Sequence, residues 1–193
     1  MRRGLALTLA VLCVLPLAAC RRDERTIDRT PMPTAATAPY VCGHIPLKAV
    51  QLMTGVVNPH VRGGFDLASA GGIGEGSCIL YRNGGDRLKV LEVGLAPDGY
   101  QGEVDDQIED GATPLPEIVP GATGCYYKSP GSGRTDAFAL LVRGRAELAI
   151  RLAAGVEGRD NAGDVMALMK LIAPKLITDA SAPSASPSVS GKG

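Results

Sequence analysis

The sequence predicts an α+β domain, an antiparallel sheet of about five or six strands with an N-terminal and a C-terminal helix packed on it. Three observations carry this reading. Short apolar runs come in pairs joined by turn-forming residues, as hairpins require. Apolar residues recur at helical spacing at both ends of that stretch, over 46–54 and 161–176. The regular strand–helix rhythm of a parallel sheet is missing, and so is the Gly-rich strand-to-helix turn of a dinucleotide fold.

The elements follow in chain order. Pro46 suits the first position of a helix, where its missing N–H costs nothing and its φ is already helical. Leu47, Val50 and Met53 recur at helical spacing, and Gly55 can stop the helix after Thr54. Residues 55–76 hold seven glycines and one proline, which reads as a long loop with room for one short element. Cys78-Ile79-Leu80-Tyr81 is a predicted strand, Asn83-Gly84-Gly85-Asp86 a turn, and Leu88 to Leu95 the returning strand. Val104 and Ile108 suggest a short amphipathic helix across 102–110, and Gly124 to Lys128 a brief strand. Ala137 to Val142 and Ala146 to Ala153 flank Arg143-Gly144-Arg145 as a second hairpin. Its last strand alternates, with Leu148, Ile150 and Leu152 on one face and Glu147 and Arg151 on the other. Asn161 followed by Asp164 can start the closing helix. Val165, Leu168, Met169, Ile172 and Leu176 form its buried stripe, and Pro174 is expected to end or kink it.

Outside this stretch the chain reads differently. Met1-Arg2-Arg3 is a short positive start, Gly4 to Pro16 an uncharged apolar run, and Leu17-Ala18-Ala19-Cys20 leads into Arg21-Arg22-Asp23-Glu24-Arg25. That is the layout of a secretory signal, and the apolar run falls short of the roughly 20 residues of a spanning helix. Its ending resembles a bacterial lipobox, in which the Cys thiol takes a diacylglyceryl group and the chain is cut before it. Residues 1–19 are thus expected to be a lipoprotein signal peptide and Cys20 the lipidation site. Residues 20–39 would be the lipidated N-terminus and a flexible tether. The globular domain is expected over 40–178, with a disordered Ser/Pro/Ala tail over 179–193.

Charge narrows the function classes. The whole chain is formally neutral, and loss of Arg2 and Arg3 with the leader leaves 18 basic against 20 acidic residues. Two Phe, five Tyr and no Trp leave little for stacking on bases. Neither a basic face nor an aromatic platform for nucleic acid is indicated.

Of the five cysteines, Cys13 would leave with the leader and Cys20 take lipid, so Cys42, Cys78 and Cys125 remain. An oxidising compartment favours one disulfide among them. Pairing Cys42 with Cys78 would tie the first helix to the first strand and leave Cys125 buried beside Tyr126 and Tyr127. Pairing Cys78 with Cys125 is the alternative, and spacing alone does not choose.

No catalytic or metal set emerges. Glu103, Asp105, Asp106, Glu109 and Asp110 lack the alternating ligands, the Gly and the closing Glu of a calcium loop, and read as a solvated helix face. Gly71-Gly72-Ile73-Gly74-Glu75-Gly76 leads into a strand, so no helix N-terminus waits to receive phosphate. His44 and His60 are the only histidines and stand in no zinc-binding spacing. Cys125 has no local positive charge to activate it. Ser132, in Gly131-Ser132-Gly133, lacks the nucleophile-elbow pattern. Tyr81, Tyr126 and Tyr127 read as packing residues. No cofactor is expected.

The order of motifs carries a resemblance. Cys42 precedes a short helix through Met53-Thr54-Gly55, Ser77-Cys78-Ile79-Leu80-Tyr81 opens a hairpin, and Val119-Pro120-Gly121-Ala122 runs into Tyr126-Tyr127. A hairpin around Arg143-Gly144-Arg145 and a closing helix follow. Over roughly 40–178 this resembles a family of small actinobacterial lipoproteins with an extracytoplasmic domain of no assigned function. The resemblance implies that the first two cysteines of the domain, Cys42 and Cys78, pair. The family often has Trp two residues after the second Cys, where Leu80 stands here. The expectation is a non-catalytic binding or sensing lipoprotein on the extracytoplasmic face of the cell membrane. It would be held there by its lipid anchor, with a lipid, a glycan or an envelope protein as ligand. A scaffold acting through protein contacts is the alternative, and an enzyme the third.

Overall fold

A computed structural model of the protein describes residues 28–84, 87–128 and 135–182. Strands β1 (Tyr40–Val41) and β2 (Ile45–Pro46) form a small antiparallel pair ahead of helix α1 (Leu47–Thr54). Strand β3 (His60–Asp66), a 3-10 turn at Ala70–Gly72, β4 (Glu75–Tyr81) and β5 (Lys89–Ala96) come next. Then follow helix α2 (Gln101–Glu109), β6 (Thr113–Pro114), β7 (Thr123–Lys128), β8 (Ala137–Arg143) and β9 (Ala146–Leu152). Helix α3 (Asn161–Leu176) and a 3-10 turn at Asp179–Ser181 complete the described chain. The large sheet runs β3-β4-β5-β9-β8-β7-β6, with every neighbouring pair antiparallel. The protein is therefore α+β, with a seven-stranded sheet in place of the expected five or six strands.

Period two sorts the side chains. Cys78, Leu80, Leu91, Val93, Leu95, Ala139, Leu141, Leu148, Ile150 and Leu152 point to one face, where α1 and α3 cover them in the main core. On the other face α2 lies over β7 and β8, closing a smaller cluster of Val104, Ala112, Cys125, Leu140, Val142 and Ala149. The expected pair of terminal helices thus shares one face, and the middle helix takes the other.

Several expectations are corrected by the fold. Residues 55–76 are not all loop, because β3 forms the edge of the sheet within them. Only Val61 and Phe65 of that strand are half-buried, so the apolar alternation that betrays a strand is too weak to read. Pro174 does not end α3, which runs on to Leu176. The proline lies in the last turn, on the exposed side of the helix. The helix is capped one residue earlier than expected. Asp160 is the N-cap, accepting a hydrogen bond from the Gly163 N–H at 3.0 Å, and Asn161 is buried in the first turn. Pro46 belongs to β2 and caps α1 without a side chain, while Gly55, at φ +68°, ends that helix in the left-handed conformation.

The two ends of the domain also hold more of the chain than the sequence suggests. Met32 and Ala36 pack on the main core, and the Tyr40 hydroxyl donates to the Ala36 carbonyl at 2.7 Å. At the other end Arg143, nearly buried, donates to the carbonyls of Pro120 and Thr178, each at 2.9 Å. Ser181 is buried beside it, within the first residues of the expected tail. Positions 183–193 of that tail lie outside the described residues.

Candidate functional site

The sheet has two unlike ends. His60, Tyr81, Lys89, Leu152, Ala137 and Lys128 mark one of them, as successive register partners or strand termini. The C-terminus of α1 and the N-terminus of α3 lie at this end, because each helix connects to the strand that starts or stops there. The loops that join them are short and rich in glycine, so they leave a hollow in place of a packed surface.

That hollow is a cleft of about 970 Å³. Lys48, Gln51 and Thr54 line it from α1, Val57 from the loop behind, Arg82 from the end of β4, and Glu157 from the β9–α3 loop. The walls are held by named bonds. Gln51 Nε2 donates to the Val57 carbonyl at 2.8 Å, and the Val156 N–H to the Met53 carbonyl at 2.9 Å. Thr54 is buried, its hydroxyl donating to the Val50 carbonyl at 2.8 Å. Gly155 passes so close to Asn161 that a Cβ would lie 2.4 Å from the amide oxygen, and only glycine fits there. The same Asn161 Oδ1 is buried without a hydrogen-bond partner among the described residues.

Arg159 organises the floor beneath. Its Nε and Nη2 meet the two carboxylate oxygens of Asp164 at 2.8 Å each, with both side chains nearly buried. The Asp164 partner favours the charged guanidinium, a bidentate geometry that only arginine offers. Its Nη1 donates to the carbonyls of Asp28 and Thr30, at 2.5 and 3.0 Å. The segment that leads into the domain is thereby fixed at the cleft. Asp28 itself is held below the usual carboxylate range by Thr30, first through its side chain and then through its N–H, which donates at 2.9 Å. A second hollow of about 420 Å³ adjoins, between this segment and the start of α3. Lys48 and Arg82 are exposed and form no ion pair among the described residues. The cleft offers two exposed cations, Lys48 and Arg82, the carboxylates of Asp28 and Glu157, amide and hydroxyl groups and some apolar wall, and its cations can hold an anionic group. No nucleophile with its base stands among these residues.

The residues singled out from sequence lie elsewhere. Cys20 and Ser132 lie outside the described residues. Cys42 and Cys78 form a disulfide with their Cα atoms 6.0 Å apart, which resolves the two pairings left open. Cys125 is free and fully buried under α2; burial and the nearby Glu103 push its thiol up to about 11, so it stays protonated at neutral pH. His44 packs edge-on against Phe65, while His60 lies beside Tyr81 and accepts from Arg62 Nε at 3.3 Å. Tyr127 rests against Phe138, and Tyr126 against the main core. The acidic residues do decorate α2, as expected. Among the described residues no group of three His, Cys, Asp or Glu side chains is placed to hold a metal, and no helix is long and apolar enough to cross a membrane.

Sequence reasoning missed Lys48, Arg82 and Arg159. None stands in a motif, and they converge only because α1, β4 and the loop before α3 end at the same edge of the sheet. Compared with protein-family models, curated proteins and solved structures, the chain matches none of them.

Proposed function

We propose that this chain is a lipid-anchored lipoprotein of the extracytoplasmic face of the cell membrane, whose domain binds or senses a ligand and carries out no catalysis. The observation that carries the binding reading is the cleft beside α1, where Lys48 and Arg82 line a hollow without a salt-bridge partner among the described residues, with the carboxylates of Asp28 and Glu157 on the same wall. Unpaired cations in a concave, partly apolar wall are what an anion-bearing ligand needs for orientation. The lipobox-like Leu17-Ala18-Ala19-Cys20 supports the anchor, and the Cys42–Cys78 disulfide fits an oxidising compartment. The resemblance to small actinobacterial lipoproteins accords with both.

Native mass spectrometry of the full chain, extracted from its membrane in detergent, tests the binding reading. The expected result is a mass above that of the lipidated polypeptide, lost on denaturation and diminished in Lys48→Ala/Arg82→Ala. A polypeptide mass with no addition overturns it. Detergent phase partitioning tests the anchor. The wild-type chain is expected in the detergent phase and Cys20→Ala in the aqueous phase.

A further inference from the structure

The cleft end differs from the opposite end of the sheet in three ways, and together they say which way the domain faces. The first is reach. Eight residues separate Cys20 from Asp28, a span of at most about 29 Å when fully extended. Arg159 clamps Asp28 and Thr30 to the domain, so this segment cannot peel away to lengthen the connection without losing those bonds. The opposite end lies further off by a strand of seven residues, roughly 24 Å.

The second is apolar exposure. Tyr40, Val57, Leu88 and Tyr100 are the exposed large apolar side chains among the described residues. Val57 is 66% exposed and Leu88 50%, and both of these aliphatic side chains lie at the cleft end, whereas the two tyrosines stand toward the opposite end, Tyr40 at Lys175 in the last turn of α3 and Tyr100 at the start of α2. They are held near one another by the β4–β5 turn. The Asn83 side-chain amide donates to the Asn58 carbonyl, and the Arg82 N–H donates to the Leu88 carbonyl at 2.9 Å. Val57 is further fixed by Gln51. Neither residue caps a core, so folding alone gives no reason to hold them out.

The third is charge. Arg29, Lys48, Arg82 and Arg87 stand at this end without an ion pair among the described residues. The carboxylates of Asp28, Glu157 and Asp160 stand at the same end and offset part of this charge, Asp28 lying within electrostatic reach of Lys48. At the opposite end Asp66, Glu75, Asp98 and Asp179 are exposed, Asp179 pairing with Arg143 at 3.8 Å, and Arg145 of the β8–β9 turn is the exposed cation beside them. A negatively charged surface would therefore favour the cleft end over the opposite one.

We propose that the end carrying Asp28, Val57 and Leu88 rests on the bilayer that holds the Cys20 lipid. Val57 and Leu88 enter the interface, and Arg29, Lys48, Arg82 and Arg87 meet anionic phospholipid headgroups. This rests on the lipid-anchor reading, and it makes the cleft a headgroup site facing the membrane.

The sequence contains no Trp, so a single introduced Trp reports its own depth. The lipidated full chain is placed in vesicles of equal parts brominated phosphatidylcholine and phosphatidylglycerol, as Val57→Trp, as Leu88→Trp, and as Arg145→Trp at the opposite end. Flotation with the vesicles reads the anchor, and quenching by the brominated chains reads the orientation. Fluorescence in Val57→Trp and Leu88→Trp is expected to be quenched several-fold more than in Arg145→Trp. That excess is expected to vanish when Lys48→Glu and Arg82→Glu are added. Flotation with equal quenching at all three positions overturns the orientation and leaves the anchor standing. Failure to float overturns both. Undiminished excess quenching in vesicles of phosphatidylcholine alone overturns the role given to the cations.

Discussion

The two faces of the seven-stranded sheet are covered unequally. Under α1 and α3 lies one continuous apolar core that includes Ile45, Met53, Leu80, Leu91, Ile150, Leu168 and Met169, all fully buried. Under α2 lies a cluster of six buried residues, to which the helix itself contributes only Val104. An isolated helix of nine residues is marginal in water, so α2 depends on what it packs against. The difference teaches where stability resides. The α1/α3 face holds the main core and the α2 face a smaller one, so α2 is expected to open before the rest of the domain unfolds.

The comparison is broken most severely on the main face. Ile150 has no exposure and sits at the centre of the sheet between β5 and β8. Ile150→Ala is expected to lose about 4 kcal/mol, as truncations in rigid cores do. The check is a lowered denaturant midpoint with an unchanged slope, which marks a loss of stability with no change in the unfolded state. Next comes the disulfide, which fastens the β1–β2 pair and α1 to β4 on this same face. Loop closure over a separation of 36 residues sets a contribution of roughly 4 kcal/mol. Cys42→Ser/Cys78→Ser is expected to lose about 3 kcal/mol of it, since strain lowers the yield. A double variant as stable as the parent would show that the edge of the main core holds itself.

The α2 face is sharpened with a gentler change. Val104→Ala is expected to weaken the attachment of α2 by about 1.5 kcal/mol. Cys125, sealed beneath that helix, reports the opening directly. Its labelling by a thiol reagent in native buffer is expected to accelerate about tenfold, the factor that 1.4 kcal/mol implies. Amide exchange in α3 should not follow. If α3 accelerates in parallel, α2 opens only when the whole domain does, and the two faces are one cooperative unit.

These same regions differ in how far the sequence announces them. The stripe of α3 and the alternation of β9, with Glu147 and Arg151 set against Leu148, Ile150 and Leu152, were legible because the period survives in the residues, and β8, buried on both faces, was legible as an apolar run stopped by Arg143-Gly144-Arg145. The edge strand β3 was not, since an edge needs little burial and four of its seven residues are Gly or charged. The placement of α2 alone on the second face was not legible either. Its single buried valine gives no direction that a periodicity can report. Residue count leaves three pairings of Cys42, Cys78 and Cys125; the resemblance pointed to Cys42–Cys78, and the adjacency of the β1–β2 turn to β4 is what lets that pair form. Of the cleft nothing was legible. Lys48, Arg82 and Arg159 are ordinary surface residues in the chain, and their convergence is a property of which strand ends meet.

The smallest expected effect lies on the α2 face and depends on pH. Glu147 points from β9 to that side, with α2's Glu103 and the nearby Asp98 around it. Burial first, then those two carboxylates, raise its proton affinity above the ordinary glutamate value, and Arg151 offsets part of this. A raised folded value means that the folded protein keeps a proton the unfolded chain has already released. Stability is therefore highest below the unfolded value, near pH 4.3, and falls as pH rises from there through the folded value. Above that window the penalty is constant. Glu147→Gln removes the titration and leaves an amide that can donate to Glu103. The variant is expected to melt above the parent at pH 7 by about 2 °C, corresponding to less than about 1 kcal/mol at a partly solvated site. The two melting curves should converge near pH 4. A variant that melts below the parent at pH 7 would mean that the charged Glu147 is held by Arg151 more than it is repelled by Glu103. The acidic side of α2 would then be a stabilised network in place of a strained one.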